Sequence, residues 1–306
     1  MFTFERTTNS QAGFSLIELL VSTAIMLVIS GTVTSALLQM TSSQQTIWNR
    51  TEMHSGIRSA TELLQQEVGQ AGRVTLPGPV NLTAGVAAGT NPVSVNSVTG
   101  MFVGEQIVVG AGTDQETVAL TAVDTGTNTI TAVFGVAHAA NAPIAVYGGF
   151  SSGIVPPTIA NGSTGSVMKL LGDINSDGSI VYIEYTCDTA GGNLYRNSMA
   201  YNAGAKPALT AADVLLSNIG PNPANFPCFT YESKVVNGVT YIIDVAVTLT
   251  VQTQQRDPLT KAFQFETKAL LNVAPRNVFN TWELASAGST NRVQPTPATV
   301  TTLLGL

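Results

Sequence analysis

The sequence has few of the residues from which most catalytic sites are built. Its 306 residues include two cysteines and only two histidines, His54 and His138. A serine–histidine–aspartate triad or a multi-histidine metal site therefore has little to build on. The chain also lacks a phosphate-binding loop, a dinucleotide-binding fingerprint and a nucleophile elbow. We expect that the protein is not an enzyme.

Charged residues are also scarce. Only 10% of the residues are Asp, Glu, Lys or Arg, and the net charge is −6. No basic tract is present, so the sequence gives no support for a nucleic-acid-binding face. The hydrophobic content of 44% is enough to bury a large core. Gly, Thr, Ser, Asn and Ala are abundant, which is more typical of extracellular β-structures than of cytosolic enzymes.

An apolar run near the N-terminus contains a single carboxylate. Residues 13–21 read Gly-Phe-Ser-Leu-Ile-Glu-Leu-Leu-Val, and Glu18 is the one charge in a run that reaches Leu38. The run is long enough to cross a bilayer. A carboxylate inside it costs roughly 2.5–3.5 kcal/mol on insertion scales, so such an acid is expected to be functional.

This arrangement resembles the class III signal of type IV prepilins and type II secretion pseudopilins. In that family a membrane peptidase cuts after the glycine and methylates the new N-terminus. The resemblance implies a leader over residues 1–13, which holds Arg6, cleavage between Gly13 and Phe14, and N-methylation of Phe14. An ordinary secretory signal loses its apolar region on cleavage, whereas here that region stays on the mature protein. The alternative is a plain single-pass anchor with an incidental glutamate.

The resemblance also implies partners and a location. Other pilins or pseudopilins would bind through the N-terminal helix, and the prepilin peptidase would process the chain. Glu18 would neutralise the positive N-terminus of Phe14 on a neighbouring subunit, or its own before assembly, which offsets the cost of burying both charges. The chain would cross the bacterial inner membrane once, with its head in the periplasm, and then enter a pilus or periplasmic fibre.

The apolar run is predicted to continue as one long helix over residues 14–76, with 14–38 in the membrane. No proline occurs between Phe14 and Leu76. Beyond Leu38, apolar residues recur at helical spacing and form one stripe: Met53, Ile57, Ala60, Leu64 and Ala71. Gly69, Gly72 and the Pro-Gly-Pro at 77–79 are helix-stopping signals.

The remainder predicts antiparallel β-structure, which gives an α+β fold with the long N-terminal helix packed on an antiparallel β-sheet head. Residues 80–150 form a Gly/Thr/Val-rich stretch of short strands, which we interpret as an inserted all-β module. Residues 151–284 form the pilin-like head, in which Asn237-Gly238 predicts a hairpin turn. Residues 285–306 are rich in Ser, Thr and Pro and are predicted to be a disordered tail.

Some head residues extend the resemblance to the large minor pilins and J-type minor pseudopilins. They are Asn193-Leu194-Tyr195-Arg196 after Cys187, and Pro275-Arg276-Asn277 after the last strand. Export would place Cys187 and Cys228 in an oxidising compartment, where a pair is normally bridged. We expect a disulfide, which stabilises by about 3–4 kcal/mol for a loop of this length. A metal site or two buried free thiols are the alternatives.

A possible calcium loop lies in the head. Asp173, Asn175 and Asp177 alternate before Gly178, and Glu184 follows later, which matches the oxygen spacing of a calcium loop. The residues after Gly178 are predicted to form a strand, which would carry Glu184 away. The alternative is a hairpin turn in which these side chains cap backbone amides. Calcium is the one cofactor that the sequence suggests.

The sequence thus favours a minor pilin-like structural subunit of a type IV pilus, acting in pilus assembly, in priming or at the tip. A minor pseudopilin of the type II secretion system fits the same residues. An alternative of another class is a membrane-tethered adhesin or binding module, delivered by the pilin signal and contacting a surface through residues 80–150.

Overall fold

The computed structural model describes residues 13–304, apart from the side chain of Leu271. The described part forms two compact units. The first contains the residues up to Thr51 together with Gln255–Gln264, and the second contains Glu52–Gln254 and the chain from Phe265 onward. The predicted leader, residues 1–13, lies outside the described residues except for Gly13.

A single helix, α1 (Leu16–Gln70), opens the described chain. It ends at Gln70, before the predicted end at residue 76. Gly72 follows with a φ of 82°, and a Cβ at this position would lie 2.8 Å from the Val278 side chain. Only glycine adopts this left-handed conformation without strain and also allows the close approach, so the backbone turns away here.

Residues 80–146 form an antiparallel six-stranded sheet with the strand order β1-β6-β3-β4-β5-β2. The strands are β1 (Val80–Asn81), β2 (Gly89–Ser94), β3 (Gln106–Val109), β4 (Glu116–Asp124), β5 (Thr129–Phe134) and β6 (Pro143–Val146). Alternating residues of these strands bury a core of their own, which includes Ile107, Leu120 and Ile130.

The head contains two further antiparallel sheets and the two-residue strand β7 (Gly149–Phe150). One sheet has the order β11-β10-β9-β8, and in the other β14 pairs with β12, β13 and β15. The strands are β8 (Val167–Gly172), β9 (Val181–Asp188), β10 (Asn193–Ala200), β11 (Val214–Ser217), β12 (Ile219–Gly220), β13 (Phe229–Val236), β14 (Val239–Gln252) and β15 (Phe265–Val273). The predicted Asn237-Gly238 turn joins β13 to β14, with positive φ at both residues.

The apolar stripe of α1 packs into the core formed by these head sheets. Its members in this core are Met53, Ile57, Ala60, Leu64, Val68 and Ala71, each at most 7% exposed. Burying a leucine or isoleucine side chain contributes roughly 1.5–3 kcal/mol. The α+β architecture predicted from the sequence is therefore confirmed: a long N-terminal helix is followed by antiparallel sheets.

The C-terminal segment differs from the disordered tail predicted for residues 285–306. Helix α2 (Arg276–Ser286) is followed by β16 (Val293–Gln294), which pairs in parallel with β7, and by α3 (Ala298–Leu304). The composition is polar, but three apolar side chains are enough to anchor α3 in a shared core. These are Val300, Leu303 and Leu304, which pack in a cluster with Phe102, Phe150 and Tyr182.

Candidate functional site

The N-terminal half of α1 has an apolar surface that no other described residue covers. Every residue from Leu16 to Met40 is exposed, including Leu27 at 73% and Val28 at 67%. The helix is long and apolar enough to cross a membrane by length and composition, and none of its apolar window is buried. Such a surface is stable only when lipid or another protein covers it.

Glu18 caps the first turn of this helix. Its Oε2 accepts a hydrogen bond of 2.9 Å from the backbone N–H of Ser15, and Ser15 Oγ accepts one of 3.2 Å from the N–H of Glu18. This reciprocal pair is a capping box, in which a serine and a glutamate three residues later satisfy two free helix N–H groups. The Ser-x-x-Glu spacing marks this capping box in the sequence, and Ser15 is a member of it in addition to Glu18. The Glu18 carboxylate is thus hydrogen-bonded to the residue that follows Phe14, the predicted new N-terminus.

A second glutamate of α1 is placed very differently. Glu67 is 5% exposed and lies between two side chains of the head sheet. Arg196 donates to it through Nη2 at 2.6 Å and Nε at 3.0 Å, and the hydroxyl of Tyr185 donates at 2.5 Å. Burial and the Glu67 carboxylate raise the pKa of Tyr185. Burial acts to lower the pKa of Arg196, but its hydrogen bonds to Glu67 outweigh this effect and raise it. This network fixes the position of α1 on the sheet.

A disulfide joins Cys187 and Cys228, as the sequence predicted. Cys187 lies on β9, and Cys228 directly precedes β13, so the bond links the two head sheets. Both residues are buried. The bond closes a loop with a sequence separation of 41 residues, so it limits the freedom of the unfolded chain over the strands that form the head core.

The predicted calcium ligands are not gathered at one point. Asp173 is fully buried, and its carboxylate accepts hydrogen bonds from Thr75 Oγ1 and from the Asp177 backbone N–H. Asp177 accepts from the N–H of Ser179 at 2.8 Å. Asn175 and Asp177 are both exposed. Asp173 and Asp177 therefore cap backbone amides within a turn, which is the alternative to a calcium loop.

Glu184, predicted as a fourth ligand, lies in a different cluster from the turn residues. It pairs across the sheet with Lys169, and its carboxylate contacts Lys169 Nζ at 3.6 Å, Lys206 Nζ, and the hydroxyl of Tyr182 at 2.6 Å. Strand β9 carries it away from the turn. Within residues 13–304, no group of three or more His, Cys, Asp or Glu side chains is positioned to hold a metal ion. Calcium binding by the remaining turn residues stays a prediction, which a calcium-dependent rise in melting temperature would check.

The two histidines both contact carboxylates. His54 Nδ1, on α1, pairs with Glu266 of β15. His138 has a side chain only 1% exposed, and its Nε2 lies 2.8 Å from Glu116 Oε1 in the six-stranded sheet. The two histidines belong to separate pairs, and neither pair includes a serine or cysteine nucleophile. Each pair is a structural contact between neighbouring segments.

Glu105 is a buried carboxylate that the sequence analysis did not single out. It is fully buried just before β3, and neither oxygen has a partner within normal hydrogen-bond geometry in the described part of the chain. Burial raises its pKa to about 8, against a weak opposing interaction with the Phe102 backbone. Tyr201 lies close enough for Glu105 to raise the tyrosine pKa further, after the larger effect of burial. No sequence pattern marks such a position, because its cause is tertiary packing.

The comparisons with known proteins agree with the N-terminal geometry. The family model for the prokaryotic N-terminal methylation motif matches residues 8–34, a span that contains Gly13, Phe14 and Glu18. None of the curated proteins and none of the solved structures matches the chain. The motif supports a type IV pilin-like protein, and together with the exposed apolar helix it suggests membrane anchoring.

Proposed function

We propose that the protein is a minor pilin-like structural subunit of a type IV pilus, acting in pilus assembly, in priming or at the tip. The observation that carries this proposal is the methylation motif at residues 8–34, placed at the start of an apolar helix half that no described residue covers. A fibre built from such helices would cover that surface. In this account the protein acts by packing, not by catalysis.

Before assembly, the helix crosses the inner membrane once, and the head lies in the periplasm. The prepilin peptidase cuts between Gly13 and Phe14 and methylates Phe14. The disulfide Cys187–Cys228 supports this side of the membrane, because such bonds form in oxidising compartments. After assembly, neighbouring apolar helices replace the lipid around residues 14–38.

Glu18 then guides docking to the next subunit. In the single chain its carboxylate already accepts the N–H of Ser15, so it is held beside the first turn, where a new positive N-terminus appears after cleavage. Pairing that charge, on its own chain or on a neighbour, offsets part of the cost of burying a carboxylate in an apolar bundle.

Two other functions fit parts of the structure. A minor pseudopilin of the type II secretion system would use the same N-terminal residues in a periplasmic fibre. A membrane-tethered adhesin would use the six-stranded sheet, on which Val133 is 58% exposed, and the segment just after β5, where Val136 is 42% exposed, to contact a surface. The companion genes of the chain would separate these systems.

The experiment separates the charge of Glu18 from its capping role. Glu18→Ala removes both the charge and the cap, Glu18→Gln keeps an acceptor for the Ser15 N–H but removes the charge, and Ser15→Ala weakens the cap but keeps the charge. We expect cleavage and membrane insertion in all three, because the two Glu18 variants insert a neutral side chain, which is easier, and Ser15→Ala leaves the inserted charge as it was. Sheared fibres should lack both Glu18 variants and contain Ser15→Ala. Normal amounts of Glu18→Gln in sheared fibres would contradict the proposed role of the charge.

A further inference from the structure

The stretch of α1 without charges is as long as a whole bilayer is thick. After Glu18 the next charged residue is Arg50, so the 31 residues from Leu19 to Asn49 carry no charge. At 1.5 Å per residue this stretch is about 46 Å long. The hydrocarbon core of a bilayer is about 30 Å thick, so residues 19–38 are enough to cross it. The eleven residues that follow, 39–49, continue the helix beyond the hydrocarbon without a charge before Arg50.

Two exposed apolar residues lie near the end of this uncharged stretch, two and three positions before Arg50. Trp48 is 77% exposed and Ile47 is 63% exposed. Tryptophan is enriched at membrane–water interfaces because its ring is apolar and its N–H is polar.

The loop between β14 and β15 packs along the helix at this same level. Gln45 Nε2 donates to Gln255 Oε1 at 2.7 Å, and Arg50 Nε donates to Gln264 Oε1. The loop residues Gln255–Gln264 belong to the same compact unit as the membrane-spanning part of the chain. The loop therefore lies beside residues 45–50, at most about 18 Å along the helix from Leu38, where the proposed spanning segment ends.

The loop exposes an apolar tip and two cations but turns its single acid inward. Asp257 is 3% exposed and accepts the backbone N–H groups of Leu259 and Thr260, both at 2.8 Å. Leu259 is 61% exposed, and Arg256 and Lys261 are also exposed. An aliphatic side chain flanked by cations fits an anionic lipid surface, where it enters the interface while the cations meet phosphate groups.

We propose that the loop Gln255–Gln264 is a membrane-surface contact, with Leu259 in the headgroup region and with Arg256 and Lys261 against anionic lipid phosphates. This inference rests on the membrane-anchored state of the proposed function. It adds a second contact with the membrane, made by a segment about two hundred residues after the spanning helix. The contact fixes the unit at the bilayer surface until the helix is extracted into a fibre.

Depth-dependent fluorescence quenching tests this contact. The full chain would carry Leu259→Trp in a Trp48→Phe, Trp282→Phe background, in vesicles of phosphatidylethanolamine and phosphatidylglycerol with brominated acyl chains. The matched control is Val235→Trp in the same background, since Val235 is 64% exposed but lies on β13. We expect a loss of fluorescence at position 259 and none at position 235. Equal fluorescence at both positions in a chain that stays with the vesicles would overturn the inference alone.

A charge variant tests the two cations. Arg256→Gln with Lys261→Asn removes both charges, and asparagine suits position 261, where φ is 59°. We expect quenching at position 259 to fall when phosphatidylcholine replaces the anionic lipid, and to fall equally in the double variant. Quenching that is insensitive to both changes would refute the role of Arg256 and Lys261. A chain that is released from the vesicles by alkaline carbonate would instead contradict membrane anchoring itself.

Discussion

The two halves of α1 belong to one continuous helix but have opposite environments. From Leu16 to Met40 every residue is exposed, whereas six apolar residues between Met53 and Ala71 are almost completely buried in the head core. The first half is apolar on all its faces apart from Glu18, Gln39 and scattered Ser and Thr residues, and the second is apolar on one stripe only. The apolar side chains of the first half therefore need lipid or another subunit to bury them, while those of the second half are buried by other residues of the same chain.

The glutamates at the two ends of the helix show the same contrast. Glu18 is exposed and is paired only with its own first turn. Glu67 is buried, and Arg196 and Tyr185 of the head sheet satisfy it. A carboxylate with all its partners inside the chain supports folding, whereas one that still lacks a charged partner is available for another molecule.

The largest expected loss of stability follows the removal of Arg196, the charged partner of Glu67. Arg196→Met should lower the free energy of unfolding by about 3–4 kcal/mol, because it leaves a buried carboxylate unpaired. Denaturant unfolding of the full chain in detergent measures this loss. The double variant Glu67→Leu, Arg196→Met should recover much of it, since both polar groups are then gone. A double variant as unstable as the single one would show that the unpaired carboxylate is not the cause of the loss.

A matched pair of leucines compares the two halves directly. Leu64→Ala should cost about 3 kcal/mol, because Leu64 is 0% exposed and its removal leaves a cavity. Leu27→Ala, at a position 73% exposed, should leave the unfolding of the head unchanged. Thermal unfolding in detergent checks both variants. A loss of head stability with Leu27→Ala would break the distinction between the halves.

A smaller, pH-dependent effect is expected at Glu105, which is buried like Glu67 but lacks its partners. Its folded-state pKa is raised to about 8 from an ordinary value of 4.5. The unfolded state therefore releases this proton at lower pH, and folding stability falls as pH rises from about 4.5 to 8. Between pH 5 and pH 7 the loss should be on the order of 2 kcal/mol. Glu105→Gln should flatten this part of the stability profile, and an unchanged profile would refute the assignment.

The sequence predicted the features that depend on local pattern. The absence of proline and the spacing of Met53, Ile57 and Leu64 were sufficient to predict a long helix with one buried stripe. The Asn237-Gly238 turn and the strand alternation around it also depend on neighbouring residues. The helix ends at Gln70, at the first of the predicted stop signals, Gly69 and Gly72, rather than at residue 76 before the Pro-Gly-Pro.

The features that the sequence did not predict depend on residues far apart in the chain. Arg196 reaches Glu67 across 129 positions. The tail was predicted to be disordered because its composition is polar, yet Val300 and its apolar neighbours find a core built by other elements. Glu184 matched the calcium spacing in sequence, but the strand that carries it places it beside Lys169. Spacing along the chain cannot report such tertiary neighbours.

The mature N-terminus tests the central claim most directly, namely that the uncovered half of α1 is a processed pilin segment. Intact-mass and N-terminal peptide analysis of the protein extracted from membranes should find a chain that begins with N-methylated Phe14. The same strain without its prepilin peptidase should retain residues 1–13. A chain that keeps residues 1–13 in the presence of active peptidase would contradict the account.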